Sequence, residues 1–167
     1  KLYAVSKVGV TPSSNITWFQ AQQACAASGK RLLTSAEWQM AAAGTPDPGL
    51  GGNNTATNCN TNTAGKVNTG TSTGATQCVS KWGAYDMVGN VNEWVADWIQ
   101  GKFDSGVAPG NNSATYGSDS SSGVQPAGIQ VGGSTFPGAV FRGGAYAGGT
   151  GAGIVAPIKA KGFFYVP

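Results

Sequence analysis

Histidine is missing from this sequence altogether, and with it go the commonest general base, the commonest transition-metal ligand and the Ser/His and Cys/His nucleophile pairs. Charge is scarce as well: 10% of the residues are Asp, Glu, Lys or Arg, against roughly 25% in an average soluble domain. The net charge of +3 is scattered, without a basic run or stripe, so no nucleic-acid partner is expected. No apolar run reaches the roughly 18 residues of a membrane-spanning helix, no charged-then-apolar leader opens the chain, and no membrane insertion is expected. The chain starts at Lys1 without a Met, as a processed product or a piece of something longer would. There is no CxxC pair to suggest zinc or redox work, and no cysteine after Cys78.

What fills the space is glycine, 27 residues of it, with Thr, Asn and Ser. A surface so poor in ions is solvated by hydroxyls, amides and backbone, a composition that suits a loop-rich extracellular, cell-surface or virion protein. At 167 residues the chain is long enough to bury a core, and a single α+β domain over residues 1–167, with further domains beyond it left open, is the expected organisation.

The three cysteines differ in their surroundings. Cys59 and Cys78 bracket a Gly/Thr/Asn loop that cannot order itself by burial. A disulfide closing that loop of roughly twenty residues would contribute about 3 kcal/mol in the chain-entropy model and would imply an oxidising compartment. Cys25 sits among Ala21, Ala24 and Ala26, as a buried free thiol acting as a small hydrophobe would.

Tyr3, Val5, Val8 and Val10 predict a strand over the first ten residues. Thr17 and Gln20 form a capping box that opens a helix whose face is Trp18, Ala21, Cys25 and Ala24, with Gly29 as its C′ stop. A second box, Thr34 with Glu37, opens a short helix carrying Trp38 and ending at Gly44. Residues 45–80 and 101–133 are nearly pure turn formers and are expected to be ordered irregular coil. Strand character returns at residues 139–142, 154–155 and 162–166.

Residues 83–98 stand apart. Asp86, Gly89, Val91 and Glu93 are placed to wrap a hard cation, calcium above all, two through side-chain oxygens and two through backbone carbonyls, with Trp82, Trp94 and Trp98 supplying apolar mass beneath. The alternative reading makes Asp86 and Glu93 plain turn and element-start residues, since two acids are a thin ligand set.

Three motifs, 29–38 (Gly-Lys-Arg-Leu-Leu-Thr-Ser-Ala-Glu-Trp), 86–94 (Asp-Met-Val-Gly-Asn-Val-Asn-Glu-Trp) and 141–146 (Phe-Arg-Gly-Gly-Ala-Tyr), resemble the formylglycine-generating-enzyme (sulfatase-modifying factor) superfamily. That resemblance implies a C-type-lectin-like fold with two short helices, small antiparallel sheets and much ordered coil, and it carries the calcium-like site onto Asp86, Gly89, Val91 and Glu93. The enzyme branch binds copper through a cysteine pair in its C-terminal part, and a related branch assisting non-haem iron relies on histidines. Neither set exists here, so no catalytic residue and no enzyme activity are expected. The tail, 142–156, looks like the variable region of retroelement-diversified ligand-binding proteins: Gly143, Gly144, Gly149, Ala152 and Gly153 fall on its constant frame. The family's Trp is replaced by Tyr146.

The resemblance thus implies a ligand-binding face of Ala145, Tyr146, Ala147, Gly148, Thr150, Gly151 and Ile154. It would display a receptor-binding surface, as a phage tail-tip protein or adhesin does, toward a cell-surface receptor or another protein or glycan. Its small residues predict weak single sites used as a homo-oligomer or array. A glycine-rich segment that merely turns the chain is the competing account of residues 142–153. A structural virion, fibre or decoration protein that packs through its uncharged loops is the alternative function. A copper-dependent formylglycine-generating oxidase is the remote one.

Overall fold

A computed structural model of the chain describes residues 6–46, 59–72, 78–99, 129–131, 134–136, 138–148, 152–153 and 159–161. Two short helices, α1 (Trp18–Ala27) and α2 (Ser35–Ala42), precede the strands β1 (Glu93–Ile99), β2 (Ile129–Val131), β3 (Ser134–Phe136), β4 (Gly138–Arg142) and β5 (Lys159–Lys161). β4 runs antiparallel between β1 and β5, while β2 and β3 form a separate antiparallel pair.

Both helices begin as their capping boxes dictate. The Thr17 hydroxyl accepts from Gln20 N, and Gln20 Oε1 accepts from Thr17 N; Thr34 and Glu37 repeat the exchange. Each box satisfies backbone donors that the first helical turn leaves without a partner. α1 stops because Gly29 takes φ +68°, letting Lys30 N reach back to Cys25 O and Gly29 N to Ala26 O.

Strand alternation sorts the sheet's side chains to two layers. Trp94, Ala139 and Phe141 pack with Ala21 of α1 on one face, joined by Ile16, Trp18 and Leu32. Val95 and Val140 pack with Trp38 and Ala42 of α2 on the other, with Met87 from the preceding loop. Indole N–H groups lock the α1 layer to backbone: Trp18 donates to Val95 O at 2.7 Å and Trp94 to Ile16 O at 3.1 Å. A register shift falls in β1 between Trp94 and Trp98, a bulge of the kind that bends a strand.

Several expectations need correction. Residues 6–10 form turn and coil, and Val8 and Val10 are exposed: the alternation there has no neighbouring strand to pair with among the described residues. Cys25 is a free thiol but only half-buried, because α1 sinks only Ala21 fully into the core. Of the three indoles near residues 83–98, Trp94 is buried, Trp98 is partly exposed and Trp82 is 67% exposed. Strand β5 lies at Lys159–Lys161. The strands expected at 154–155 and 162–166, and the first five residues, lie outside the described residues.

The Cys59–Cys78 disulfide is present. With Val88 and Ala152 it forms a third buried cluster beneath the irregular loops. Residues 59–72 are ordered coil held by hydrogen bonds, as a segment with few apolar side chains must be; most of 101–133 lies outside the described residues.

Candidate functional site

The loop before β1 turns on three left-handed residues, Asp86 (φ 58°), Gly89 (φ 77°) and Asn90 (φ 59°). Its backbone is stitched to three others: Asp86 N donates to Cys78 O, Gly89 N to Gly143 O and Asn90 N to Asn60 O. The approach at Gly89 is so close that a Cβ there would sit 2.4 Å from Asn60 O, which only glycine tolerates.

Asn90, 1% exposed, is the hub. Its side chain reproduces a backbone pairing with Val67, accepting from Val67 N at 2.8 Å and donating to Val67 O at 3.1 Å, and its Oδ1 also accepts from Asn60 Nδ2. Its own carbonyl accepts from Tyr146 N at 3.0 Å. Sequence reasoning passed over this residue. The one clue was an Asn after Gly in a turn, where asparagine is the non-glycine residue most tolerant of positive φ.

Of the four residues expected to hold calcium, Asp86 is buried and already committed: Oδ1 accepts from the Ser72 hydroxyl at 2.8 Å and Oδ2 from Gly70 N at 2.7 Å. Glu93 accepts from the Trp38 indole N–H. Burial pushes the Glu93 carboxyl up to about 7, opposed by the Trp38 hydrogen bond and reinforced by the charge of Asp86. The carbonyls of Gly89 and Val91 receive no hydrogen bond among the described residues. Two carboxylates, and two carbonyls without a hydrogen bond among the described residues, are oxygen donors of the kind calcium takes. No cluster of three Asp, Glu, Cys or His residues occurs among the described residues, so the set is a sparse one. Val91 and Glu93 also line an open cleft of about 200 Å³ whose apolar walls include Ile16, Ala21, Leu32 and Trp94.

The tail segment joins the same loop system. Gly143 and Gly144 both take positive φ, and a Cβ at Gly143 would meet Met87 O at 2.9 Å. Gly143 pairs with Gly153 in an isolated bridge, and Ala152 is buried. Between these anchors the chain makes a turn, closed by Gly148 N donating to Ala145 O. Tyr146 is clamped through its backbone: its N–H goes to Asn90 O, and its carbonyl accepts from Thr63 N at 2.8 Å. Ala145 and Tyr146 are half-buried, and Ala147 and Gly148 are exposed. Thr150, Gly151 and Ile154 of the expected ligand face lie outside the described residues.

A loop system of this kind, hung on a helix-flanked antiparallel sheet and carrying the three motifs in order, belongs to a recognisable class of domain. Comparison with protein families matches residues 3–161 to the sulfatase-modifying factor enzyme 1-like domain, and the protein belongs to that family. Among curated proteins nothing matches the chain.

Proposed function

We propose that this domain is a non-enzymatic ligand-binding module of C-type-lectin-like fold, displaying the 145–154 segment toward a receptor. The observation that carries the reading is the clamping of Tyr146. Backbone groups of Asn90 and Thr63 hold it, so the side chains of half-buried Tyr146 and exposed Ala147 take no part in those hydrogen bonds and can vary without breaking them. A rigid scaffold with a mutable face is what a diversified recognition protein needs, since exposed substitutions usually cost within about 0.5 kcal/mol. The enzyme branch's paired cysteines have no counterpart: Cys59 and Cys78 are joined to each other, leaving Cys25 alone.

In this reading the segment is diversified by a retroelement, the protein works on a virion or cell surface, and several copies act together because small side chains give weak single sites. Calcium held by Asp86, Gly89, Val91 and Glu93 would neutralise the two carboxylates and stiffen the loop that carries Asn90. The test is a library randomised at Ala145, Tyr146 and Ala147, with Gly148 kept because a Cβ there would sit 2.9 Å from Ala145 O. Most variants should fold with melting temperatures near the parent, and the flanking DNA should carry a near-copy of the tail-coding segment beside a reverse transcriptase. Widespread unfolding in the library would overturn the proposal, as would copper-dependent oxygen consumption with a cysteine peptide.

A further inference from the structure

We infer that the turn at residues 80–84 is a second recognition element, one that stacks a carboxylated sugar of an acidic polysaccharide on Trp82 and pairs the sugar's carboxylate with Lys81. Trp82 is 67% exposed, and its indole N–H donates to no protein group among the described residues, whereas Trp18, Trp38 and Trp94 are all tied by theirs.

The turn beneath it is rigid. Ser80 N donates to Ala84 O at 2.8 Å and Gly83 N to Ser80 O at 2.9 Å, while the Ser80 hydroxyl accepts from Trp82 N and Ala84 N. The Val79 and Tyr85 bridge closes its base, the disulfide at Cys78 precedes it, and Lys81 N is bonded to Ala43 O at the end of α2. A largely exposed indole on a hydrogen-bonded turn, with the Lys81 ammonium over one face, loses little freedom when a ligand covers it, the condition that favours aromatic anchors.

Charge then selects the ligand. Every carboxylate among the described residues is engaged inside the protein: Glu37 with Arg31 and Thr34, Asp86 with Gly70 and Ser72, Glu93 with Trp38, and Asp97 with Ser35 N. The exposed ammonium groups of Lys7, Lys30 and Lys81 have no anionic partner among the described residues, so the unpaired charge of the described surface is positive. Lys81 Nζ lies over the Trp82 ring, 5.2 Å from its centroid, so the cation and the aromatic ring form one unit at this turn. A uronic acid presents a C–H face and a carboxylate on one ring, which matches this pair. A lipid surface matches it less well, since membrane adsorption takes clusters of four to eight basic residues or an amphipathic helix, and the lysines here are dispersed.

The experiment is a tryptophan-fluorescence titration of the full chain with alginate, with neutral dextran and with phosphatidylglycerol-containing vesicles as parallel probes. Alginate should change the emission saturably and dextran should not. Affinity for alginate should fall at least five-fold in Trp82→Ala and several-fold in Lys81→Gln, while Lys7→Gln, which removes the same charge elsewhere, should leave it within two-fold. Trp82→Tyr, which keeps a stacking ring, should retain partial affinity and guards against a folding defect in the alanine variant. Unchanged affinity in Trp82→Ala, equal losses in Lys7→Gln and Lys81→Gln, a response to dextran, or a response to vesicles alone would each overturn the proposal.

Discussion

The Arg142 guanidinium carbon lies 4.7 Å from the centroid of the Trp38 ring, so the cation of β4 is stacked on the buried indole of α2. Arg142 also donates to the Ser35 hydroxyl and to Gln39 Oε1, tying the strand to the helix at three points. Burial depresses the pKa of Arg142, opposed by the nearby Asp97 charge, so the contacts must offset a desolvation cost. Lysine would keep the charge and lose the planar fork and the stacking. Arg142→Lys should therefore cost about 1–3 kcal/mol, read as a lower urea midpoint at unchanged slope. A loss below about 0.5 kcal/mol would mean the stacking is incidental.

Asn90 predicts a larger effect. Asn90→Ala removes three side-chain hydrogen bonds and strands the Val67 N–H and C=O, for an expected loss of about 2–4 kcal/mol. Asn90→Gly relieves the positive φ but not the lost bonds, and it should be nearly as damaging. In both variants the amide of Tyr146 should exchange hydrogen faster, because its acceptor is the Asn90 carbonyl. An alanine variant that keeps parental stability and slow exchange would remove Asn90 from the centre of the site.

Gly89 and Gly29 separate backbone strain from steric overlap. Both take positive φ, but a Cβ at Gly29 meets nothing within 4 Å while one at Gly89 meets Asn60 O at 2.4 Å. Gly29→Ala should cost about 1 kcal/mol from the left-handed backbone alone. Gly89→Ala should cost about 3 kcal/mol or more, since the neighbour is backbone and cannot swing away. Equal melting temperatures for the two variants would show that the loop yields easily.

The contrast between these sites and the helices explains what could be read from sequence. Thr17 with Gln20 and Thr34 with Glu37 are local pairs three residues apart, and hydrogen-bond chemistry at that spacing fixes a helix start without outside help. The Cys59 and Cys78 pairing follows from a loop too poor in apolar side chains to order itself by burial. Asn90 and Trp82 were not legible in the same way. The partners of Asn90, Val67 and Asn60, lie 23 and 30 residues away, and nothing local marks an amide as a hub. Trp82 was assigned to the core because indoles usually bury, but a turn locked by Ser80 carries it into solvent. Val8 and Val10 failed for a related reason: alternation marks a strand only when a neighbouring strand exists.

Below about pH 4.5 acid should act on α2 through Glu37. Glu37 is held down to about 2, chiefly by its hydrogen bonds to Arg31, then by the backbone and side chain of Thr34, against an ordinary value of 4.5. Its proton is bound more weakly in the folded protein than in the unfolded chain, so its stabilisation is complete above about pH 4.5 and is lost as pH falls toward about 2. Glu37→Gln should flatten that part of the melting temperature against pH curve while leaving the neutral region little changed, since the pair is exposed and screened. A parent and variant that lose stability in parallel below pH 4.5 would assign the acid sensitivity to other carboxylates.

Calcium is the most direct test of the loop that carries Asp86 and Glu93. A cation bound only to the folded state stabilises it by about 2.7 kcal/mol at one hundred times its dissociation constant. At about 2–4 °C per kcal/mol for a chain of this size, the expected rise in melting temperature is roughly 5–10 °C. Chelation should reverse it, and magnesium should substitute poorly because it requires a tighter octahedral shell. Asp86→Ala is an ambiguous probe, since it also releases Gly70 and Ser72. Glu93→Gln is the better one: it removes a charge from the set while keeping an oxygen that can accept from the Trp38 indole. That variant should melt near the chelated parent and gain little from calcium. A parent whose melting temperature ignores both calcium and chelator would leave Asp86 as a clamp on the 70–72 loop and Glu93 as the partner of Trp38.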